Sequence, residues 1–327
     1  MSTNTNMAGG SRNNSKKVIS WLLKNNTYLV FIGMITVCCI LSSNFYTMQN
    51  ITNLLKQNTI IGVITMGMLL VILTGDIDLS VGSICGAANV IVSVIATRQK
   101  MPIESAVFMA LALGVAMGAA NGFFIVFKKL PAFIVTLAMM TVGRGFAYIW
   151  SKGAPISVTA EGIKAISTGY FLWLPILVWF LIIVFLVIFF LLRFTSYGRI
   201  IKAIGSNAEA VRLAGLRVNT YRFGVYMIAG FLCALAGVLG CARTGVGSPL
   251  FGEGFELDAI AMVVIGGANL NGGKGDAVKT LVGIFIIGMI SNIMNLINVS
   301  AYLQQVIKGL IVLAAIYLQG SNNKKTA

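Results

Sequence analysis

Ten apolar runs separated by short polar connections constrain this chain more than any other feature of its sequence. They lie at residues 28–41, 57–73, 79–97, 105–127, 131–150, 171–192, 221–241, 258–268, 277–297 and 301–318. A bilayer core takes a helix of about 20 residues, so most of these runs are suited to crossing, and 258–268 is too short to span alone. Backbone in hydrocarbon must satisfy its own hydrogen bonds, which makes the helix the natural element for each run. The expectation is an all-α polytopic membrane protein with about ten transmembrane segments, some broken or half-length. Composition agrees: 57% hydrophobic residues, 10% charged residues and a mean hydropathy of +0.90 lie far outside the range of a soluble domain.

The net charge of +15 raises the question of a nucleic-acid partner, and the placement of the 24 Lys and Arg answers it. They stand between the apolar runs: Arg12, Lys16, Lys17 and Lys24 before the first, Lys128 and Lys129 between two others, a block from Arg193 to Arg222, and Lys324 and Lys325 at the end. This is the positive-inside pattern of a protein whose surroundings are lipid and not nucleic acid. With the N-terminus cytoplasmic, ten crossings put Lys128, Lys129, the 193–222 block, Lys274, Lys279 and the C-terminal lysines inside. The same topology leaves Arg98, Lys100, Lys152, Lys164 and Arg243 outside, against the pattern. The expected organisation is a cytoplasmic tail over 1–27, a transmembrane region over 28–318 and a cytoplasmic tail over 319–327. The run from Tyr28 has a basic flank but no small-residue cleavage site after it, so it reads as an uncleaved first span.

Catalytic and metal-binding sets are not legible. The five cysteines lie in or beside apolar runs without CxxC spacing, histidine is absent, and neither a GxSxG elbow nor HExxH occurs. The stretch GGANLNGGKG (266–275) comes near a phosphate loop, but that pattern needs glycine at 268 and Ser or Thr at 275, where Ala268 and Gly275 stand. An enzyme, and ATP hydrolysis by this chain in particular, is not expected.

The chemistry-bearing residues are polar interruptions of apolar runs. LVILTGDIDLSVGS (70–83) sets Asp76 and Asp78 directly after such a run in a chain with nine acidic residues. An aspartate at the centre of a membrane helix costs roughly 2.5 to 3.5 kcal/mol, so the pair marks either a helix break beside a translocation path or a turn at the membrane surface. In the latter, Asp78 is the N-cap of the next helix, accepting from the N–H of Ser80 or Val81. Residues 71–82 also lay over 262–273, matching Gly75 to Gly266, with Asp78 opposite Asn269 and Ser80 opposite Asn271. Two apolar half-segments that stop at glycine and continue into short polar residues look like the broken helices of duplicated transporters, or like two unrelated glycine turns. Gly114, Gly118 and Gly122 recur at four-residue spacing and read as a close helix interface or a narrow path. The stretch 193–224 holds a short amphipathic helix with Ala208, Val211, Leu213 and Ala214 as its apolar positions, suited to a cytoplasmic partner or to the lipid surface. Asn89, Ser93, Asn121, Thr136, Thr141, Asn292 and Asn295 are polar positions in the spans, fit for helix contacts or for a sugar path.

EAVRLAG (209–215) resembles the Glu-Ala-Ala-x-x-x-Gly loop by which permeases of ATP-binding-cassette (ABC) importers dock into their ATPases. Together with GDIDLSVGS (75–83), GRIIKAIGSNAEAVRLAG (198–215) and ELDAIAMVVIGGANLNGGKG (256–275), it is similar to the ribose-type monosaccharide permeases, the branch that serves ribose, allose, xylose and related sugars. The importer-wide loop continues with Leu-Pro after a second glycine, and no Leu-Pro follows Gly215 here. The resemblance implies a bacterial inner-membrane subunit with both termini cytoplasmic, paired with a second permease copy, with a cytoplasmic ATPase that uses ATP and Mg, and with an extracytoplasmic sugar-binding protein. It implies ATPase coupling through Glu209, Ala210, Val211, Arg212 and Gly215, and a translocation path or helix break at Gly75, Asp76, Asp78, Ser80, Asn269 and Asn271. Lys152, Lys164 and Arg243 are the expected contacts to the binding protein, and the chain itself is expected to hold no cofactor. The competing expectation is a secondary transporter in which Asp76 or Asp78 carries or coordinates a coupling ion.

Overall fold

A computed structural model describes residues 26–158 and 160–324. Each of the ten apolar runs falls on a helix. These are α1 (Asn26–Leu41), α2 (Met48–Leu73), α3 (Val81–Arg98), α4 (Ile103–Phe127), α5 (Ala132–Ser151), α7 (Ile176–Phe194), α9 (Val218–Thr244), α10 (Phe255–Ile265), α11 (Ala277–Leu296) and α12 (Ala301–Lys324). Two helices lie outside the runs, α6 (Glu161–Thr168) and α8 (Ser196–Leu213). Of these helices, α2, α3, α4, α5, α7, α9 and α11 are long and apolar enough to cross a membrane. The half-length expectation for 258–268 holds, since α10 has 11 residues. Residues 1–25 and 325–327 of the expected tails lie outside the described residues, and α12 runs to Lys324.

The core is built around α2 and α9, of which 83% and 78% of the membrane-length window is buried, against 22% for α5 at the periphery. Small residues make this possible. Side-chain carbons added at Gly114 and Gly118 of α4 would strike Gly230 and Tyr226 of α9, so the four-residue glycine stripe is a close helix contact and not a lined path. Polar side chains fix the same contacts: Asn50 of α2 and Asn292 of α11 exchange two hydrogen bonds at 3.0 and 2.8 Å, and Asn89 of α3 donates to the Gly237 carbonyl of α9 at 3.2 Å. Cys38, Cys85, Cys233 and Cys241 are buried free thiols and Cys39 is an exposed one.

The bundle has two chemically distinct ends. At one, α8 lies against the α2–α3 and α10–α11 connections, and Thr27 at the start of α1 approaches Gly267. Gly122, near the end of α4, packs on Phe223 at the start of α9, which brings Lys128 and Lys129 to the same end. The opposite end carries strands β1 (Ile156–Ser157) and β4 (Val246–Gly247), paired antiparallel, and the hairpin of β2 (Tyr170–Phe171) with β3 (Leu174–Pro175). Of the cations that broke the positive-inside pattern, one is held here for a local reason. Arg98 donates to the carbonyls of Trp150 and Ser151 at 2.8 and 3.0 Å, closing the last turn of α5.

Candidate functional site

The segment Thr74–Ser80 is a true break between α2 and α3. It begins with a Schellman stop: Gly75, at φ +86°, donates to Ile72, and Asp76 donates to Val71. It ends with an Asx turn, in which Asp78 Oδ1 accepts from the Ser80 N–H at 2.8 Å and from Ser80 Oγ at 2.5 Å. The cap expectation needs one correction here. The carboxylate of Asp78 does accept from Ser80, but Ser80 itself is the N-cap of α3, so Asp78 shapes the turn leading into the helix and does not cap it. Asp78 is 1% exposed, and Asn121 of α4 donates to Ser80 Oγ at 2.8 Å, so the break lies inside the helix bundle.

The connection from α10 to α11 repeats this construction. Gly267, at φ +84°, donates to Val264, Ala268 donates to Val263, and Asn271 N–H donates to Asn269 Oδ1 at 3.0 Å. The two Asx turns pair as the sequence echo placed them. The helix-stopping glycines do not: Gly75 corresponds to Gly267 and not to Gly266, one residue further on, because the left-handed residue follows the last helical turn. The second connection is also longer, running through Gly272 and Gly273 to Asp276, which caps α11 by accepting from Val278 and Lys279.

The two breaks touch each other, and α8 touches both. Gly273 N–H donates to the Leu73 carbonyl at 3.0 Å. A side-chain carbon on Gly205 of α8 would collide with the Leu73 carbonyl oxygen, Gly273 N and Gly272 Cα, and one on Gly272 would collide with Gly205 and Gly75. Three backbones therefore meet at atomic contact with no side chain between them.

Beyond Gly205 the helix changes direction. Asn207 is extended at φ −161°, and its Oδ1 accepts from Ala210 N–H at 3.0 Å, so it caps a short second helix that carries the coupling motif. That helix stops in a third Schellman motif, with Gly215 at φ +80° donating to Arg212 and Leu216 donating to Val211. Of the expected coupling residues, Glu209, Ala210, Arg212 and Gly215 are exposed, whereas Val211 turns inward. The expected apolar side is thereby redrawn: Val211 anchors the helix while Leu213, 79% exposed, is presented outward. Glu209 and Arg212 form an exposed ion pair at 2.6 Å, of the surface kind that contributes little to stability. A Gly215→Ala substitution meets no atom and only the left-handed backbone opposes it, so we expect a loss of about 1 kcal/mol, read as a small fall in thermal midpoint.

Asp76 accepts from Arg222 Nη2 at 2.6 Å, with side-chain exposures of 12% and 25%, joining the first break to the start of α9. Around this pair the polar network is incompletely satisfied, since Arg222 Nε and Asn121 Oδ1 have no partner. Sequence reading counted Arg222 among the basic block without its pairing and passed over Gly205, whose only signal was a glycine followed by Ser206 and Asn207 inside a helix. Ser80→Ala removes a donor to Asp78 and the acceptor of Asn121 in a buried place; the expected cost is about 1 to 3 kcal/mol, measurable as a lowered unfolding temperature in detergent.

The three expected outer contacts lie at the far end from α8. Lys152 is exposed at the end of α5 with φ +58°. Arg243 lies in the last turn of α9 and borders a cavity of about 120 Å³ that also includes Asn58, Asp258 and Lys308. Lys164 falls on α6, and its side chain lies outside the described residues.

Comparison with known proteins bears on this arrangement. Residues 50–316 match the family described as branched-chain amino acid transport system / permease component. The chain belongs to this family. Relatives include the ribose import permease protein RbsC of Escherichia coli K12, 38% identical over 94% of this chain and 95% of the relative. RbsC of Bacillus subtilis 168 is 39% identical over 93% and 94%, and the L-arabinose ABC transporter permease protein AraH of Azospirillum brasilense is 35% identical over 94% and 91%. No solved structure matches the chain. The family's match begins in α2 and ends in α12, so both breaks and the whole of α8 fall inside it.

Proposed function

We propose that this chain is the membrane-spanning permease subunit of an ABC importer that brings a monosaccharide of the ribose and arabinose class into the cytoplasm. The observation that carries the reading is the contact of α8 with both helix breaks through Gly205, because it joins an exposed partner-facing helix to the two interrupted spans. A separate ATPase using ATP and Mg docks at Glu209, Ala210, Arg212 and Gly215, with Val211 holding the docking helix on the bundle and Leu213 offering it an apolar contact. Closure of the ATPase shifts α8. Through Gly205 that shift reaches the Schellman stops at Gly75 and Gly267, and the Asx turns of Asp78 with Ser80 and Asn269 with Asn271 act as the hinges on which α3 and α11 tilt. Because packed helices move as rigid bodies, small displacements at such hinges are passed on to the spans.

In this reading the end bearing α8, the start of α1 and the end of α12 is cytoplasmic, and the chain lies in the inner membrane of a bacterium. Lys152, Lys164 and Arg243 face a sugar-binding protein on the outside, where their charges steer encounter with acidic patches. A second permease copy completes the path. The ion-coupled alternative is disfavoured by the partners of its two carboxylates: Asp76 is paired with Arg222, and Asp78 is held by Ser80.

Purification of the tagged chain from its host in mild detergent is expected to bring a cytoplasmic ATPase with it, and Glu209→Lys is expected to lose that ATPase while the chain stays folded. Uptake of radiolabelled D-ribose, L-arabinose, D-xylose or D-allose should fall with ATP depletion. Uptake that survives ATP depletion and stops when the ion gradient is dissipated would instead return Asp76 and Asp78 to the role of coupling groups.

A further inference from the structure

Away from the breaks, the segment joining β4 to α10 descends into the bundle. The Phe251 and Gly252 carbonyls lie against Gly86 and Gly82 of α3, where a side-chain carbon would collide with them, and Ser248 N–H donates to Asn89 Oδ1 at 2.9 Å. Non-helical backbone at membrane depth is tolerated where it is buried in protein or lines a polar cavity, and here a cavity of about 510 Å³ opens between this segment and α5. Its wall includes Thr141, Arg144, Tyr148, Leu250, Glu253 and Glu256.

Three features give the cavity a chemistry. Thr141, Arg144 and Tyr148 recur at the spacing of one helix face, which makes a polar stripe on α5, the span with the least of its surface buried. At 1.5 Å per residue, Tyr148 and Thr141 lie about 5 and 15 Å from the end of α5 opposite α8, so the stripe runs from near that end to the middle of the span. Arg144 is fixed in place by donating to the carbonyls of Pro249 and Phe251 at 2.5 and 3.0 Å. Neither Glu253 nor Glu256 takes part in the ion pairs among the described residues. Lipid is a costly neighbour for such groups, and ionisable residues at this depth mark substrate pathways. Carboxylates accept paired sugar hydroxyls, the guanidinium adds donors, the Thr141 hydroxyl, which donates to the Leu137 carbonyl at 3.2 Å, adds an acceptor, and the Tyr148 ring and Leu250 offer an apolar face to the ring C–H groups of a sugar.

We propose that this recess is the outer staging site for a neutral monosaccharide on its way from the binding protein to the breaks. The assignment rests on the importer reading above and adds the residues that contact the sugar. Gly145 borders the recess and a side-chain carbon there meets no atom within 4 Å, so Gly145→Phe fills the space without disturbing the core. In host cells lacking the native copy, we expect Gly145→Phe to lower the maximal uptake rate at least about tenfold, Gly33→Ala, on α1 and likewise meeting no atom within 4 Å, to stay within about twofold, and Glu253→Gln to reduce the rate about three- to tenfold, as for removal of a charged hydrogen-bond partner. Each variant should retain wild-type membrane levels and co-purifying ATPase. Uptake by Gly145→Phe and Glu253→Gln at the wild-type rate would overturn the staging site while leaving the importer reading intact. If Gly145→Phe instead disperses the complex, Glu253→Gln decides: a reduced rate with an assembled complex supports the site, and an unchanged rate overturns it. A wild-type chain that takes up none of the four sugars on ATP would overturn the importer reading and the site with it.

Discussion

Replacing Gly205 with valine is expected to reduce transport to background. A side chain at Gly205 would stand against both the Leu73 carbonyl oxygen and Gly273 N, which are themselves joined by a hydrogen bond. Accommodating even one carbon means separating α8 from both breaks, and overpacking of this kind costs about 1 to 3 kcal/mol. The functional loss should exceed what that destabilisation explains, because the contact being forced apart is the one through which motion of α8 reaches the spans. The measurement compares uptake, membrane level and ATPase association of Gly205→Ala and Gly205→Val with Gly33→Ala, a helical glycine in open space on α1. A Gly205→Val protein that assembles and transports normally would remove Gly205 from the coupling route.

The second large effect concerns Asp76 and Arg222. The pair is mostly shielded from water and adjoins polar atoms that lack partners, so removing one member strands a charge. Arg222→Gln or Asp76→Asn alone is expected to cost about 3 kcal/mol, the lower part of the range for broken buried pairs because Arg222 retains some exposure. The double variant should be less damaged than the two single losses predict, with a coupling of about 1 to 3 kcal/mol in a double-mutant cycle on thermal or denaturant unfolding. Losses that simply add would show that each residue acts through other neighbours, and the link from α9 to the first break would then lose its basis.

Particular residues show where sequence reading reached its limit. The helices were legible because hydropathy over about 20 residues is a local property that lipid solvent enforces regardless of what lies beside it. Pro102, Pro131 and Pro175 likewise announce the starts of α4, α5 and α7, each standing just before the first helical residue. The break at 74–80 was legible too, since a glycine followed by two aspartates cannot continue an apolar helix cheaply. The identity of the cap was not, because Asp78 and Ser80 are both good capping residues and the choice depends on where the α3 backbone turns helical.

Arg144 escaped notice for a different reason. In the sequence it is a lone cation inside an apolar run, and what makes it informative is the descent of residues 248–256 beside it, more than a hundred positions away. The same holds for Asp76 and Arg222, and for Gly75, Gly205 and Gly272, none of which are neighbours along the chain.

What the sequence determined by itself was therefore the membrane as solvent, the number and placing of the helical runs, the polar interruptions and the family of the chain, all of which follow from local composition and short motifs. The tertiary structure decided which interruptions meet, which helix touches them and which charges are paired. Those outcomes depend on backbone approach distances of a few ångströms between remote segments, set by where side chains are absent as much as by where they are present, and an absent side chain announces its neighbour only once the helices are packed.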